Sequence, residues 1–192
     1  MNPRPRAGGY KMNQFAVVSG LPASGKSTIG TALAEYLGLP LYDKDAFLEA
    51  LFTEHGIGDP EWRGRLSRIA DENLIERASS AAGAVICSWW RHPRSEEPTG
   101  TPTQWLSGLP GRLVEVHCRC APEIAARRFF HRHRHPGHLD ARQSLDEMAE
   151  RFAIQSTFGA LGIGALVEVD TEGPVDFPSL YSGVDLAFRV AH

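Results

Sequence analysis

The chain has 192 residues, 42% hydrophobic and 22% charged, with a formal net charge of −3. That length suits one domain with a sizeable core, and the mild acidity argues against a general nucleic-acid binder, which shows a basic domain. There is no run of apolar residues long enough for a membrane-spanning helix. Residues 1–14, MNPRPRAGGYKMNQ, are polar, rich in Pro and Gly, and lack the apolar core of a signal peptide. They read as a flexible leader before a domain over residues 15–192, and the absence of an export signal predicts a cytoplasmic location.

In chain order, FAVVSG (Phe15 to Gly20) is an apolar, β-branched run read as a buried strand. KSTIGTALAEYLG follows as a helix with Gly38 as its cap. LPLYD is a second short strand, and DAFLEALF begins a helix with Asp45 as a natural N-cap. Helical periodicity runs from Glu61 to Ala82, and GAVICSWW (Gly83 to Trp90) is a third strand. The Pro-, Ser- and Glu-rich stretch from Arg91 to Pro102 reads as a mobile loop near a site, followed by a short helix near Gln104 to Ser107. RLVEVHCRC (Arg112 to Cys120) alternates strictly as a fourth strand, and Pro122 opens a helix through RRFFHR. A helix over Ser144 to Phe158, a strand ALVEVD (Ala165 to Asp170) and a helix over Leu180 to Val190 close the chain. Cys87, Cys118 and Cys120 fall in strands without zinc spacing and read as small core residues.

Five short strands alternating with helices predict an α/β fold: a five-stranded parallel sheet in a three-layer sandwich, with helices on both faces. In such a fold ligands sit beyond the carboxyl ends of the strands. The first strand is followed there by GLPASGKST, which matches G-x-x-x-x-G-K-[ST] in a strand–loop–helix context. The loop of Gly20, Leu21, Pro22, Ala23, Ser24 and Gly25 turns tightly, so that its backbone N–H groups, which Pro22 lacks, surround phosphate oxygens. Lys26 reaches the β- and γ-phosphates, Ser27 offers a hydroxyl to Mg²⁺, and Thr28 supports the loop. ATP and Mg²⁺ are therefore the expected cofactors.

At the end of strand two, YDKDAF places Asp43 and Asp45 on either side of Lys44. A carboxylate there could accept a proton from a hydroxyl attacking the γ-phosphate. Asp45 is the preferred base, and Asp43 a substrate contact. At the end of strand three, Trp89, Trp90 and Arg91 fall where a substrate would lie, and a tryptophan could stack on it. After strand five, Asp170 and Thr171 either contact the base of the nucleotide or cap the loop.

The stretch RRFFHRHRHPGHLD (Arg127 to Asp140) holds four arginines and four histidines. A basic solvated face, a metal site, a nucleic-acid patch and a phosphate-handling lid all compete for it. His131, His133 and His135 alternate at i, i+2, unlike the i, i+4 pairs of zinc helices. Arg128 and Arg132 lie at i, i+4 and would share a helix face, with forks suited to phosphate. Arg134 fits that face less well. The histidines have no assigned role beyond helix surface and turn.

On the stretch from Gly20 to Phe52, and over roughly Phe15 to Asp170 as a whole, the sequence resembles the small P-loop kinases, in particular ATP-binding proteins of the AAA_33 type, with chloramphenicol phosphotransferase, gluconate and shikimate kinases and polynucleotide kinase as relatives. The resemblance implies a P-loop kinase fold, an Asp after strand two acting at the acceptor hydroxyl, and an Arg-rich lid over about residues 127–142. Arg128 and Arg132 would clamp phosphate when it closes. One departure is that CSWWRHP lacks the Asp of a standard Walker B strand. The expected activity is transfer of the γ-phosphate of ATP to a hydroxyl of a small molecule (a sugar acid, nucleoside or antibiotic) by a monomer or homodimer. The rivals are a polynucleotide 5′-hydroxyl kinase and a regulatory module with slow ATP hydrolysis.

Overall fold

The computed structural model describes residues 13–140 and 144–191. The expected leader therefore lies almost wholly outside the described residues, as does the end of the expected lid. The strands are β1 (Gln14–Gly20), β2 (Leu41–Asp43), β3 (Gly83–Cys87), β4 (Arg112–Arg119) and β5 (Ala165–Asp170). They form one all-parallel sheet in the order β2-β3-β1-β4-β5. The helices are α1 (Lys26–Leu37), α2 (Lys44–His55), α3 (Pro60–Ser79), α4 (Pro122–His131), α5 (Leu145–Ser156) and α6 (Phe177–Val190). The central strand is β1, so its loop opens between the carboxyl ends of β3 and β4.

Alternation along the strands sends side chains to two cores. Val18, Val85 and Val116 meet Ile29 and Leu33 of α1 and Val184 and Phe188 of α6. On the opposite face Phe15, Val17 and Ile86 meet Leu74 and Ala78 of α3. Ile29 and Leu33 are fully buried, and burial of each such side chain contributes about 1.5–3 kcal/mol. Cys87 and Cys118 are free and buried, and Cys120 is half-buried, as their seating in and beside strands predicted.

Several boundaries differ from the sequence expectation. Asp43, not Asp45, caps α2: its Oδ1 accepts from the Asp45 N–H at 3.0 Å. Strand β3 stops at Cys87 because the chain turns out of the sheet, and Trp90 forms an isolated bridge with Thr101. Helix α4 stops at His131, and Arg132 is extended at φ −73 and ψ 144. Arg128 and Arg132 therefore do not share a helix face. Helix α6 begins at Phe177, where Asp176 accepts from the Ser179 N–H and Pro178 fits the first turn.

Candidate active site

The loop after β1 is held by close contacts. Gly20 has φ +129, and a Cβ there would lie 2.6 Å from the Cys118 carbonyl oxygen, so β1 and β4 pass too close for a side chain. Gly25, at φ 96, precedes the first residue of α1. Leu21 is buried against Ala125, Phe129 and Phe152 of α4 and α5, and Ser24 is fully buried with its N–H donating to the Leu21 carbonyl at 3.2 Å. Lys26 Nζ donates to the carbonyls of Gly20 at 3.1 Å and Leu21 at 2.7 Å. Burial holds the Lys26 amine below its ordinary pKa, although Asp45 and Asp43 oppose the shift.

A cavity of about 790 Å³ spreads from this loop across the ends of β2 and β3 to the segment after α4. Pro22, Ala23, Gly25, Lys26, Ser27 and Thr28 border it at one end. Asp43, Asp45, Trp89, Arg91, Arg128 and Arg132 border it too. The fold thus gathers most of the residues singled out from the sequence around one space.

Within it the two aspartates differ. The Ser27 hydroxyl donates to Asp43 Oδ2 at 2.8 Å. Burial and the Asp45 charge push the Asp43 carboxyl above its usual range, against the pull of Ser27 and the Asp45 N–H. Asp45 is paired with Arg134 instead. Burial would raise Asp45 as well, but Arg134, His138, Arg132 and Lys26 outweigh it and hold the carboxyl below its usual range. Two carboxylates two residues apart are thereby driven in opposite directions.

The segment after α4 lies against α2. Arg132 and Arg134 both reach Asp140 Oδ2, each at 3.2 Å. The His135 ring stacks on Phe52, with centroids 5.3 Å apart, and His138 meets the same ring edge-on. His138 Nε2 bonds Glu49 Oε1 at 2.9 Å, and Arg63 Nε donates to the His138 carbonyl at 3.1 Å. Two of the four histidines thus fasten this segment. His131 and His133 are exposed.

Four expected site residues have partners of their own within the fold. Trp90 is only 6% exposed, packs with Trp105 and donates its indole N–H to the Val18 carbonyl at 2.8 Å. It is a core residue bordering a second, smaller cavity rather than the large one. The Thr171 hydroxyl is buried and donates to the Arg119 carbonyl at 2.8 Å, while Asp170 Oδ1 accepts from the Glu172 N–H at 2.9 Å. Both side chains cap their loop. Arg128 borders the large cavity while its guanidinium donates to the Thr171 and Glu172 carbonyls, both at 2.8 Å.

Sequence reading missed a buried network beneath the aspartates. Lys44 is 8% exposed, and its Nζ lies 2.7 Å from Asp71 Oδ1. Asp71 also accepts from the Thr101 hydroxyl at 2.7 Å, which shares a 2.5 Å bond with Ser88. Arg63, Ser67 and Asp71 border the cavity at i, i+4 and i+8 on α3, a polar stripe legible in the sequence once the helix is oriented.

The shikimate kinase family model matches residues 22–59, from the phosphate loop to the end of α2 and the turn beyond. Among curated proteins no sequence matches significantly. A crystal structure of a Chloroflexus aurantiacus protein, provisionally designated a kinase, superposes with a TM-score of 0.74 at 25% identity, covering 96% of this chain and 100% of that one. A sugar kinase from Janibacter superposes with a TM-score of 0.54 at 21% identity, covering 94% and 99%. A gluconokinase from Sinorhizobium meliloti gives 0.52 at 21% identity, covering 94% and 95%. The fold and phosphate loop define a P-loop protein with a five-stranded parallel sheet. Its architecture, more particularly, is that of the small P-loop kinases.

Proposed function

We propose that the protein is an ATP-dependent phosphotransferase whose acceptor is a hydroxyl of a small molecule. The observation that carries this is the division of labour between Asp43 and Asp45. One is bonded to the phosphate-loop serine, and the other faces the arginines of the segment after α4. The likeness to the shikimate kinase model and to sugar and gluconate kinase structures supports the same class.

Lys26 and the N–H groups of the phosphate loop from Gly25 to Thr28 would hold the β- and γ-phosphates of ATP. The Ser27 hydroxyl and Asp43 carboxylate are hard oxygen donors 2.8 Å apart beside that loop, a donor set that fits Mg²⁺. Bound there, the ion would supply charge neutralisation at the phosphates. Asp45 would accept the proton of the acceptor hydroxyl as its oxygen bonds the γ-phosphorus and the bond to the β-phosphate oxygen breaks. Arg134, released from Asp45 when the acceptor enters, and Arg132 would then face the transferring phosphoryl group. Arg128 would tie α4 to the loop after β5 beside the nucleotide. Trp89 and Arg91 would border the acceptor. Closure of the segment over the cavity would keep water from the γ-phosphate.

A screen of hydroxyl compounds for stimulated ADP release tests this reading. One compound that accelerates ADP formation and itself becomes phosphorylated is the expected result. ADP release that no hydroxyl compound changes would favour a slow nucleotide hydrolase.

A further inference from the structure

The second cavity, of about 410 Å³, opens on the sheet face opposite α1. Lys26, Ser27, Asp43 and Asp45 border only the larger cavity. The floor of the smaller one is a cross-strand row: Ser19 of β1 pairs with His117 of β4, which pairs with Glu168 of β5. Beneath the row Glu115 is fully buried. Its carboxylate accepts from the N–H groups of Leu161 at 2.7 Å and Gly162 at 2.9 Å, and from the Ser19 hydroxyl at 2.5 Å.

This arrangement fixes the proton on His117. The single Ser19 proton goes to Glu115, so the Ser19 oxygen accepts from His117 Nδ1 at 2.8 Å. Burial holds the ring below its ordinary pKa, although Glu115 and Glu168 oppose that shift. A neutral ring protonated on Nδ1 leaves Nε2 as an acceptor. The next residue in the row is the exposed carboxylate of Glu168. The floor therefore offers two neighbouring acceptors to a ligand.

The walls are aromatic. Trp89 borders both cavities, and Arg151, whose guanidinium lies 4.7 Å from its ring centroid, borders only the larger one. The indole thus stands as a partition between them. His92 and Phe158, which also line the cavity, stack at 5.1 Å, and His92 Nε2 donates to the Ala160 carbonyl at 3.0 Å. This fastens the loop after β3 to the end of α5. Asp170 and Glu172 lie at the mouth with Arg119, while the Arg91 guanidinium is engaged with the carbonyls of Pro98 and Gly100.

We propose that this cavity is a second ligand site, one that takes a planar nitrogen heterocycle carrying adjacent N–H donors, such as a ring N–H beside an exocyclic amine. Flat walls select a planar ring, and paired acceptors on the floor require donors from the ligand. The volume suits one or two fused rings. The proposal stands independently of the acceptor that the larger cavity takes.

The test uses the full chain with 2-aminobenzimidazole and guanosine, which carry the donor pair, and benzoxazole, which lacks it. Calorimetry is run with and without a saturating non-hydrolysable ATP analogue and Mg²⁺. At least one donor-bearing probe is expected to bind, with its Kd unchanged within about threefold by the analogue and benzoxazole at least about tenfold weaker. The exposed substitution Glu168→Gln should weaken it about tenfold or more, the loss of one charge-assisted hydrogen bond. His117→Phe, checked for folding by its thermal transition, should do the same. Binding of neither donor probe, competition with the ATP analogue, or full affinity in Glu168→Gln would overturn the proposal.

Discussion

Arg134 and Asp45, 89 residues apart in sequence, form an ion pair that joins the segment after α4 to the start of α2. The pair masks the carboxylate that would serve the acceptor. Asp45→Asn should therefore lower phosphoryl transfer about 100-fold or more, the usual scale for a lost general base, while the ATP Kd stays within about threefold. Single-turnover transfer and equilibrium ATP binding check this together. Full retained transfer would remove Asp45 from the mechanism.

The neighbouring Asp43 gives a pH signature. Burial and the Asp45 charge hold its carboxyl above the usual range. If its ionised form supports Mg²⁺–ATP, affinity is full above that raised value and is lost as the pH falls through it. Asp45→Asn removes a negative neighbour, so the loss should move to lower pH. Mg²⁺–ATP titrations from about pH 4 to 8, spanning the carboxylate range, read the midpoint. A midpoint that stays put would mean that Asp43 is not the group titrating.

Arg132 lies against Phe129, its guanidinium 4.1 Å from the ring centroid, and bonds Asp140. Arg132→Ala should slow transfer about 100-fold or more, as loss of an arginine at a transferring phosphoryl group does. ATP affinity should change less than about fivefold. Equal effects on binding and transfer would make Arg132 a ground-state contact only.

Lys44 and Asp71 make a nearly buried pair. Burial holds the Lys44 amine below its ordinary pKa, with Asp71 opposing. Lys44→Met leaves Asp71 with one donor fewer in a desolvated place and should cost about 3–5 kcal/mol. Lys44→Met with Asp71→Leu should recover a good part of that, since no unpaired charge remains. Denaturant unfolding of the single and double variants measures the difference. Equal losses in both would mean packing, not charge, sets the cost.

The adjacent tryptophans should separate cleanly. Trp90→Ala empties a core position and frees the Val18 carbonyl, costing about 3–5 kcal/mol in stability. Trp89, half-buried between two cavities, should cost far less in unfolding when changed to Ala and more in turnover with the acceptor. Thermal unfolding and steady-state kinetics on the same two variants decide this.

Most of the fold was legible because its signals are contiguous. Five apolar runs alternating with helical periodicity require a covered parallel sheet, and the loop GLPASGKST carries its own geometry in glycine positions and spacing. What pattern could not supply was the partner of each side chain. The sequence offered Asp45 as a helix cap, but Asp43 takes that place because its Oδ1 meets the Asp45 N–H. Arg128 and Arg132 had helical spacing, yet the helix ends between them.

By itself the sequence determined a phosphate loop at the end of the first strand, with two aspartates at the end of the second. These depend on residues close along the chain and on backbone conformations that few residues allow. Tertiary structure decided which aspartate faces Ser27 and which faces Arg134. It also set Trp90 in the core and placed His135 and His138 on Phe52. Each of those outcomes is a contact between segments far apart in sequence, most of them joining different strands or helices. Such contacts are fixed only when the elements pack, and no local spacing encodes them.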